Sequence, residues 1–190
     1  MKRLTTSAGA GILLALIALI ALLIVHQPFS GDTALAGHGP TPGVIGFVAV
    51  DTDTAGNAAN SGVDVPAGTV QECNTVAVGN DLNIDVVVDE VDPADRLDSF
   101  QFQLLYDPNK VHVTAVDLNQ MMAVNAGSFV LPIVNIDNTT GVLGIGASDF
   151  GETTGEAGSG VLARITLNGQ ASGTSALTLS NLAVVKPGNV

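Results

Sequence analysis

Hydrophobic and polar residues alternate along three segments in the middle of the chain, at 82–88, 100–106 and 161–167. Successive side chains of a β-strand point to opposite faces, so a period of two places one set in a core and the other towards solvent. Each segment is therefore predicted to be a half-buried strand. In the second segment the apolar set is Phe100, Phe102, Leu104 and Tyr106.

Further short apolar segments suggest more strands, and turn-forming residues such as Asp107-Pro108-Asn109 and Asn168-Gly169 separate them. The only helical signal after the N-terminus is one or two turns within 118–126. About nine strands at this spacing predict an all-β fold, a two-sheet sandwich of jelly-roll or immunoglobulin-like type. The weaker strand candidates are 44–50, 69–78, 110–117, 129–136, 142–148 and 175–185.

The N-terminus has a different pattern. Met1-Lys2-Arg3 is basic, residues 8–25 are uncharged and mostly Leu, Ile and Ala, and the small-residue triplet Ala34-Leu35-Ala36 follows. This order is typical of a secretory signal peptide over residues 1–36, with cleavage after Ala36. The alternative is an uncleaved signal anchor, because the apolar run is just long enough to span a bilayer. Both interpretations predict a domain outside the membrane, secreted or held at its outer face.

Composition narrows the class of partner. The chain carries 18 acidic and six basic residues, which give a formal net charge of −12. Nucleic acid and anionic lipid both require a basic patch, so neither is predicted as a partner. A membrane enters only if the signal segment is retained. Cys73 is the single cysteine, so the fold has no intrachain disulfide.

One loop is a candidate metal site. Asp51, Asp53 and Asn57 place oxygen ligands near a glycine, Gly56, in the manner of a calcium-binding loop. It does not match an EF-hand, because Ala55 and Gly62 occupy ligand positions of that motif. The sequence leaves two interpretations open: a calcium site, or an Asx-rich loop without metal.

Catalysis finds little support in the sequence. His26 and His38 lie before the predicted domain, and His112 lies within a predicted strand. Cys73 has no evident histidine partner, and the nucleophile motif Gly-x-Ser-x-Gly is missing from the sequence. The chain is therefore predicted not to be an enzyme.

Three segments, in order, resemble cohesin domains. The most recognisable is Ser99-Phe-Gln-Phe-Gln-Leu-Leu-Tyr-Asp-Pro108, an alternating strand that ends in Tyr-Asp-Pro, with the Val-rich strand 111–116 after it. Residues 79–86 resemble the preceding strand of that family, and residues 158–167 resemble a later one. The resemblance covers roughly residues 74–185.

The resemblance implies a nine-stranded jelly-roll module that binds a dockerin module in extracellular polysaccharide-degrading or surface assemblies. It also implies that the partner contacts one exposed sheet face, which would present Ser99, Gln101, Gln103 and Leu105 here. Two alternatives remain: a carbohydrate-binding module of the same fold with a polysaccharide as ligand, or a structural segment of a larger surface protein.

The predicted organisation is a signal segment at 1–36, a Gly/Pro-rich linker at 37–43 and a cohesin-like sandwich at 44–190. Within the sandwich, residues 51–72 resemble an insertion after the first strand. In the family pattern, the last strand would come after Val190, so the sequence is a fragment or the domain closes differently.

Overall fold

The structure, a computed structural model, describes residues 47–57, 70–94, 96–123, 127–150 and 156–185. The predicted signal segment and linker lie outside the described residues. In the part of the chain that is described, no helix has the length and apolar character needed to cross a membrane.

The described residues form an all-β domain of two four-stranded sheets. One sheet has the strand order β1-β2-β7-β4 and the other has the order β5-β6-β3-β8. All pairings between these strands are antiparallel. The strands are β1 (Phe47–Asp51), β2 (Asp81–Val91), β3 (Ser99–Leu105), β4 (Val111–Asp117), β5 (Val130–Asp137), β6 (Val142–Asp149), β7 (Gly158–Gly169) and β8 (Thr178–Val185).

The core lies between the sheets and is built from the alternating apolar residues. In β3, Phe100, Phe102 and Leu104 are buried, and the rings of Phe100 and Phe102 stack with centroids 5.9 Å apart. Ile84 of β2 and Ile165 of β7 are fully buried on the opposite sheet. Burial of these side chains is the main stabilising contribution, because no disulfide links the strands.

Most of the sequence-based strand predictions are confirmed. All three alternating segments are strands, and five of the six weaker candidates correspond to β1, β4, β5, β6 and β8. The prediction of a helical turn is confirmed by a 3-10 turn at Met121–Ala123.

The predicted strand at 69–78 is wrong, and eight strands are described where about nine were expected. Residues 71–75 are exposed, and only Val78 forms an isolated bridge, to Gly169. The Gln71 carbonyl also accepts the Thr52 N–H at 2.9 Å, but these contacts are isolated and the described residues of the segment form no continuous ladder.

The Tyr-Asp-Pro motif joins the two sheets at one end of the domain. The Tyr106 hydroxyl donates a hydrogen bond to Asn138 Oδ1 over 2.7 Å, and Asn138 Oδ1 also accepts the Val113 N–H. Asn138 Nδ2 donates in turn to the Val113 carbonyl at 3.0 Å. Burial, with a smaller contribution from the Asp137 charge, raises the pKa of Tyr106. The hydroxyl therefore stays protonated and acts as the donor in this hydrogen bond. Asp107 caps the following turn by accepting the Asn109 N–H.

Gly141 is required where the chain turns back beneath this motif. Its φ is +73°, and its carbonyl accepts the Tyr106 N–H at 2.9 Å. A Cβ at this position would overlap the Tyr106 carbonyl oxygen and lie 2.7 Å from Pro108 Cδ. The turn therefore excludes any side chain.

Gly141→Ala is expected to destabilise the domain by about 2–4 kcal/mol, from a strained positive φ together with overpacking. The matched control is Gly79→Ala, which has a similar φ of +82° but nothing within 4 Å of the added Cβ. It should lose only about 1 kcal/mol. Equilibrium unfolding in urea measures both free energies, and equal losses would contradict the steric account.

Candidate interaction face

Strand β3 presents its polar side chains on the outside of the domain. Its burial alternates along the strand, with Phe100, Phe102 and Leu104 inside. The four residues that the sequence predicted for partner contact therefore share the opposite side of the sheet. They are Ser99, Gln101, Gln103 and Leu105.

Strand pairing extends this side of the sheet across all four strands. Residues directly opposite one another in neighbouring strands share a face. Each β3 residue therefore lies in a row that crosses β6 to β5 on one side and reaches β8 on the other. We call the resulting surface the outer face. Its other members are Leu131, Ile133, Asn135 and Asp137 of β5, Val142, Gly144, Gly146 and Ser148 of β6, and Thr178, Ser180, Ala183 and Val185 of β8.

The outer face is almost free of charge, although the protein is strongly acidic. Its only ionisable side chain is Asp137, at the corner where β5 ends. The pKa of Asp137 is lowered, mainly by the hydrogen bond from the Thr140 hydroxyl and also by those from the Thr139 and Thr140 N–H groups. Asp137 is therefore a carboxylate near neutral pH. At the opposite end, burial and the nearby charge of Asp149 raise the pKa of Asp98.

Several apolar side chains are exposed on the outer face. Leu131 and Ile133 on β5 are 41% and 39% exposed, and Leu105 is 37% exposed. Beside Ile133, Gly146 of β6 adds no side chain, so the surface is low there. Exposed apolar side chains beside uncharged polar ones are typical of the centre of a protein–protein contact.

Where β3 and β8 meet, the outer face contains a pair of carboxamides. Strand β8 has one extra residue opposite β3, because Gln101 pairs with Ala183 while Gln103 pairs with Ser180. Asn181 lies in this bulge at a φ of +51° and donates its Nδ2 to Gln103 Oε1 over 2.8 Å. Sequence reasoning missed Asn181, because a bulge is a property of two paired strands and leaves no pattern in one.

The candidate metal loop follows β1 and lies against the other sheet. Asp51 is buried, and its Oδ1 accepts the N–H groups of Asp53 and Gln71, both at 3.0 Å. Asn57 Nδ2 donates both to Asp51 Oδ2 at 3.0 Å and to Asp85 Oδ2 at 3.1 Å. The structure thus brings Asp51 and Asn57 together, and Asp53 turns its Oδ1 to the N–H of Ala55.

Asp85 and Arg164 complete this cluster, and no sequence motif pointed to either residue. Asp85 is fully buried, and Arg164 contacts it with two hydrogen bonds of 2.8 and 2.9 Å. The hydrogen bond to Asp85 is the main reason that the pKa of Arg164 is raised, so the guanidinium stays charged. The cluster holds two buried carboxylates with N–H donors and one cation from the protein itself.

These contacts do not fit a calcium ion well. A calcium ion is bound by oxygen atoms. Here the carboxylate oxygens of Asp51 and Asp85 accept hydrogen bonds from N–H groups, and the partial positive charge of these groups lies where the ion would have to bind. Among the described residues, no group of three or more His, Cys, Asp or Glu side chains could hold a metal ion. Calcium at Asp51, Asp53 and Asn57 stays a prediction of the sequence.

Comparison with known protein families matches the Cohesin domain over residues 66–190, which is more than half of the chain. A comparison with curated proteins finds no match. The matched range includes the Tyr-Asp-Pro motif and all four strands of the outer face.

Several solved structures are similar to this chain. The third cohesin of ScaC from Acetivibrio cellulolyticus, solved with the ScaB dockerin, has a TM-score of 0.48 and 15% identity over 75% of this chain and 88% of that one. The Coh-OlpC–Doc435 complex from Clostridium thermocellum has a TM-score of 0.44 and 21% identity over 57% and 74%. A non-cellulosomal cohesin from Archaeoglobus fulgidus has a TM-score of 0.41 and 22% identity over 56% and 68%.

Arg164→Met is expected to cost about 3–5 kcal/mol of unfolding free energy, because it leaves the buried Asp85 carboxylate without its counter-charge. The double variant Arg164→Met/Asp85→Asn removes both charges and should recover part of that loss. Urea unfolding measures each value. A double variant that is less stable than Arg164→Met alone would contradict the pairing.

The calcium prediction has a direct measurement. From the contacts around Asp51 we expect the same melting temperature in EDTA and in excess Ca²⁺. A calcium-dependent rise that disappears in Asp53→Ala would show instead that the loop rearranges to bind the ion.

Proposed function

Since the chain belongs to the cohesin family of non-catalytic protein-binding domains, we propose that its outer face binds a dockerin module. The observation that carries this proposal is the character of that face. It is a sheet face with one ionisable side chain, Asp137, on a protein whose net charge is −12. A protein partner can cover such a face without leaving a buried charge unpaired.

The opposite sheet supports the choice of face. Its outward positions include Asp81, Asp85 and Asp117, which pair in register with Asn168 and Arg164 of β7. These side chains are committed to contacts within the domain, such as the Asp85–Arg164 ion pair. The outer face of β5-β6-β3-β8 is therefore the better surface for a partner.

A carbohydrate ligand is the second candidate, and one observation favours it. Phe129 and Phe150 are 64% and 63% exposed, and the Phe150 N–H donates to the Phe129 carbonyl at 3.1 Å, so the two aromatic residues are neighbours. Exposed aromatic rings can stack on sugars. Phe100 and Phe102 are buried in the core, whereas this pair is exposed.

We also propose that the domain works outside the cell, on the strength of the basic, apolar and small-residue order of residues 1–36. Mass spectrometry of the mature N-terminus tests this. The expected first residue is Gly37, and full-length chain confined to the cytosol would contradict export.

The docking proposal is tested with immobilised domain and a panel of purified dockerin modules that includes the ScaB dockerin and Doc435, with a polysaccharide array in parallel. At least one dockerin should bind. Gln101→Lys should then weaken that complex at least about tenfold, because it buries an unpaired charge, while the melting temperature stays unchanged.

The control is Gln170→Lys, the same substitution at an exposed residue beyond β7 and off the outer face. It should bind like the unmodified domain. Equal effects of the two substitutions, or a panel in which no dockerin binds, would contradict docking on the outer face. Binding to a polysaccharide that Phe129→Ala abolishes would establish the second candidate in its place.

A further inference from the structure

Asn181 adopts a backbone conformation that few residues other than glycine tolerate. Its φ is +51°, within a strand, and it occupies the extra position of the β8 bulge. Asparagine is among the few L-residues that accept this conformation, although at some cost. A strained residue that persists in a strand directs attention to what its side chain does.

The side chain of Asn181 holds Gln103 in place. Its Nδ2 donates to Gln103 Oε1 over 2.8 Å, and both residues are half-buried on the outer face. A glutamine side chain has several rotatable bonds, and fixing it in advance lowers the entropy lost when a partner binds. The bulge brings the Asn181 side chain beside Gln103, although the residue paired with Gln103 in the strand register is Ser180.

The hydrogen bond determines which atoms remain for a partner. It uses Oε1 of Gln103 and one N–H of Asn181, which leaves Gln103 Nε2 as a donor and Asn181 Oδ1 as an acceptor. A partner group that fits must accept a hydrogen bond from Gln103 Nε2 and donate one to Asn181 Oδ1. An amide group does both, through its carbonyl oxygen and its N–H.

We propose that Asn181 is a positioning residue for Gln103, and that the two carboxamides together recognise an amide group of the partner, from its backbone or from an Asn or Gln side chain. This inference rests on the proposed docking function of the outer face. It goes beyond that function by assigning specificity to a residue on β8.

The positioning step can be measured without any partner. Asn181→Gly keeps the positive φ at no steric cost and removes the side chain that bonds to Gln103. In the free domain, ¹⁵N relaxation of the Gln103 side-chain amide should show greater mobility in Asn181→Gly, while the melting temperature stays close to that of the unmodified domain. Unchanged Gln103 mobility would overturn the positioning role, whether or not a dockerin binds.

The recognition step is tested by a double-mutant cycle, with calorimetric titration of the dockerin that binds most tightly in the panel. Gln103→Ala and Asn181→Gly should each weaken binding about two- to tenfold, as expected for lost hydrogen bonds. The double variant should lose less than the sum of the two single losses, because Asn181 positions Gln103 and shares the partner amide with it. Additive losses, or no loss in Asn181→Gly, would overturn the proposal.

A second cycle with Gln101→Ala in place of Gln103→Ala is the matched control. Gln101 lies on the same strand and face but pairs with Ala183, beyond the bulge. Its effect and that of Asn181→Gly should add. A panel in which no dockerin binds contradicts the docking function alone, since the relaxation measurement still decides the positioning role.

Discussion

Burial of alternate residues in β3 is the constraint on which the rest of the structure depends. Phe100, Phe102 and Leu104 reach the core only if the strand keeps one register, and a slip by one residue would exchange the two faces. That register fixes Gln101 and Gln103 on the outside. Because β3 lies between β6 and β8, it also sets the rows of side chains that make up the outer face.

The ends of β3 show how this register is held. After Leu105, Tyr106 anchors to Asn138, which bonds to Val113 of the other sheet, so the two layers are joined where the strand leaves the face. The Asp85–Arg164 ion pair and the loop that follows β1 lie on the opposite sheet, away from the outer face. The buried ion pair thus lies on one sheet, while the outer face of the other sheet carries a single ionisable side chain, Asp137. We regard this division as the physical basis of the proposed docking.

Much of this could be predicted from the sequence, because a period of two and the turn residues are local signals. They identified β2, β3 and β7, and the side of β3 that carries Ser99, Gln101, Gln103 and Leu105. Contacts between distant residues leave no such signal. Asp85 and Arg164 are 79 residues apart, and Gln103 and Asn181 are 78 apart. The prediction for segment 69–78 failed for the converse reason: its composition suits a strand, but its described residues form only an isolated bridge and no continuous ladder.

The central claim is that a dockerin covers the outer face of β5-β6-β3-β8. The most direct measurement is a map of backbone amide chemical shifts as a binding dockerin is added to ¹⁵N-labelled domain. The account predicts that the largest changes fall on the outer-face residues of β3, β6 and β5, and on the bulge at Asn181. Changes centred on β1, β2 and β7, with the outer face unaffected, would contradict it.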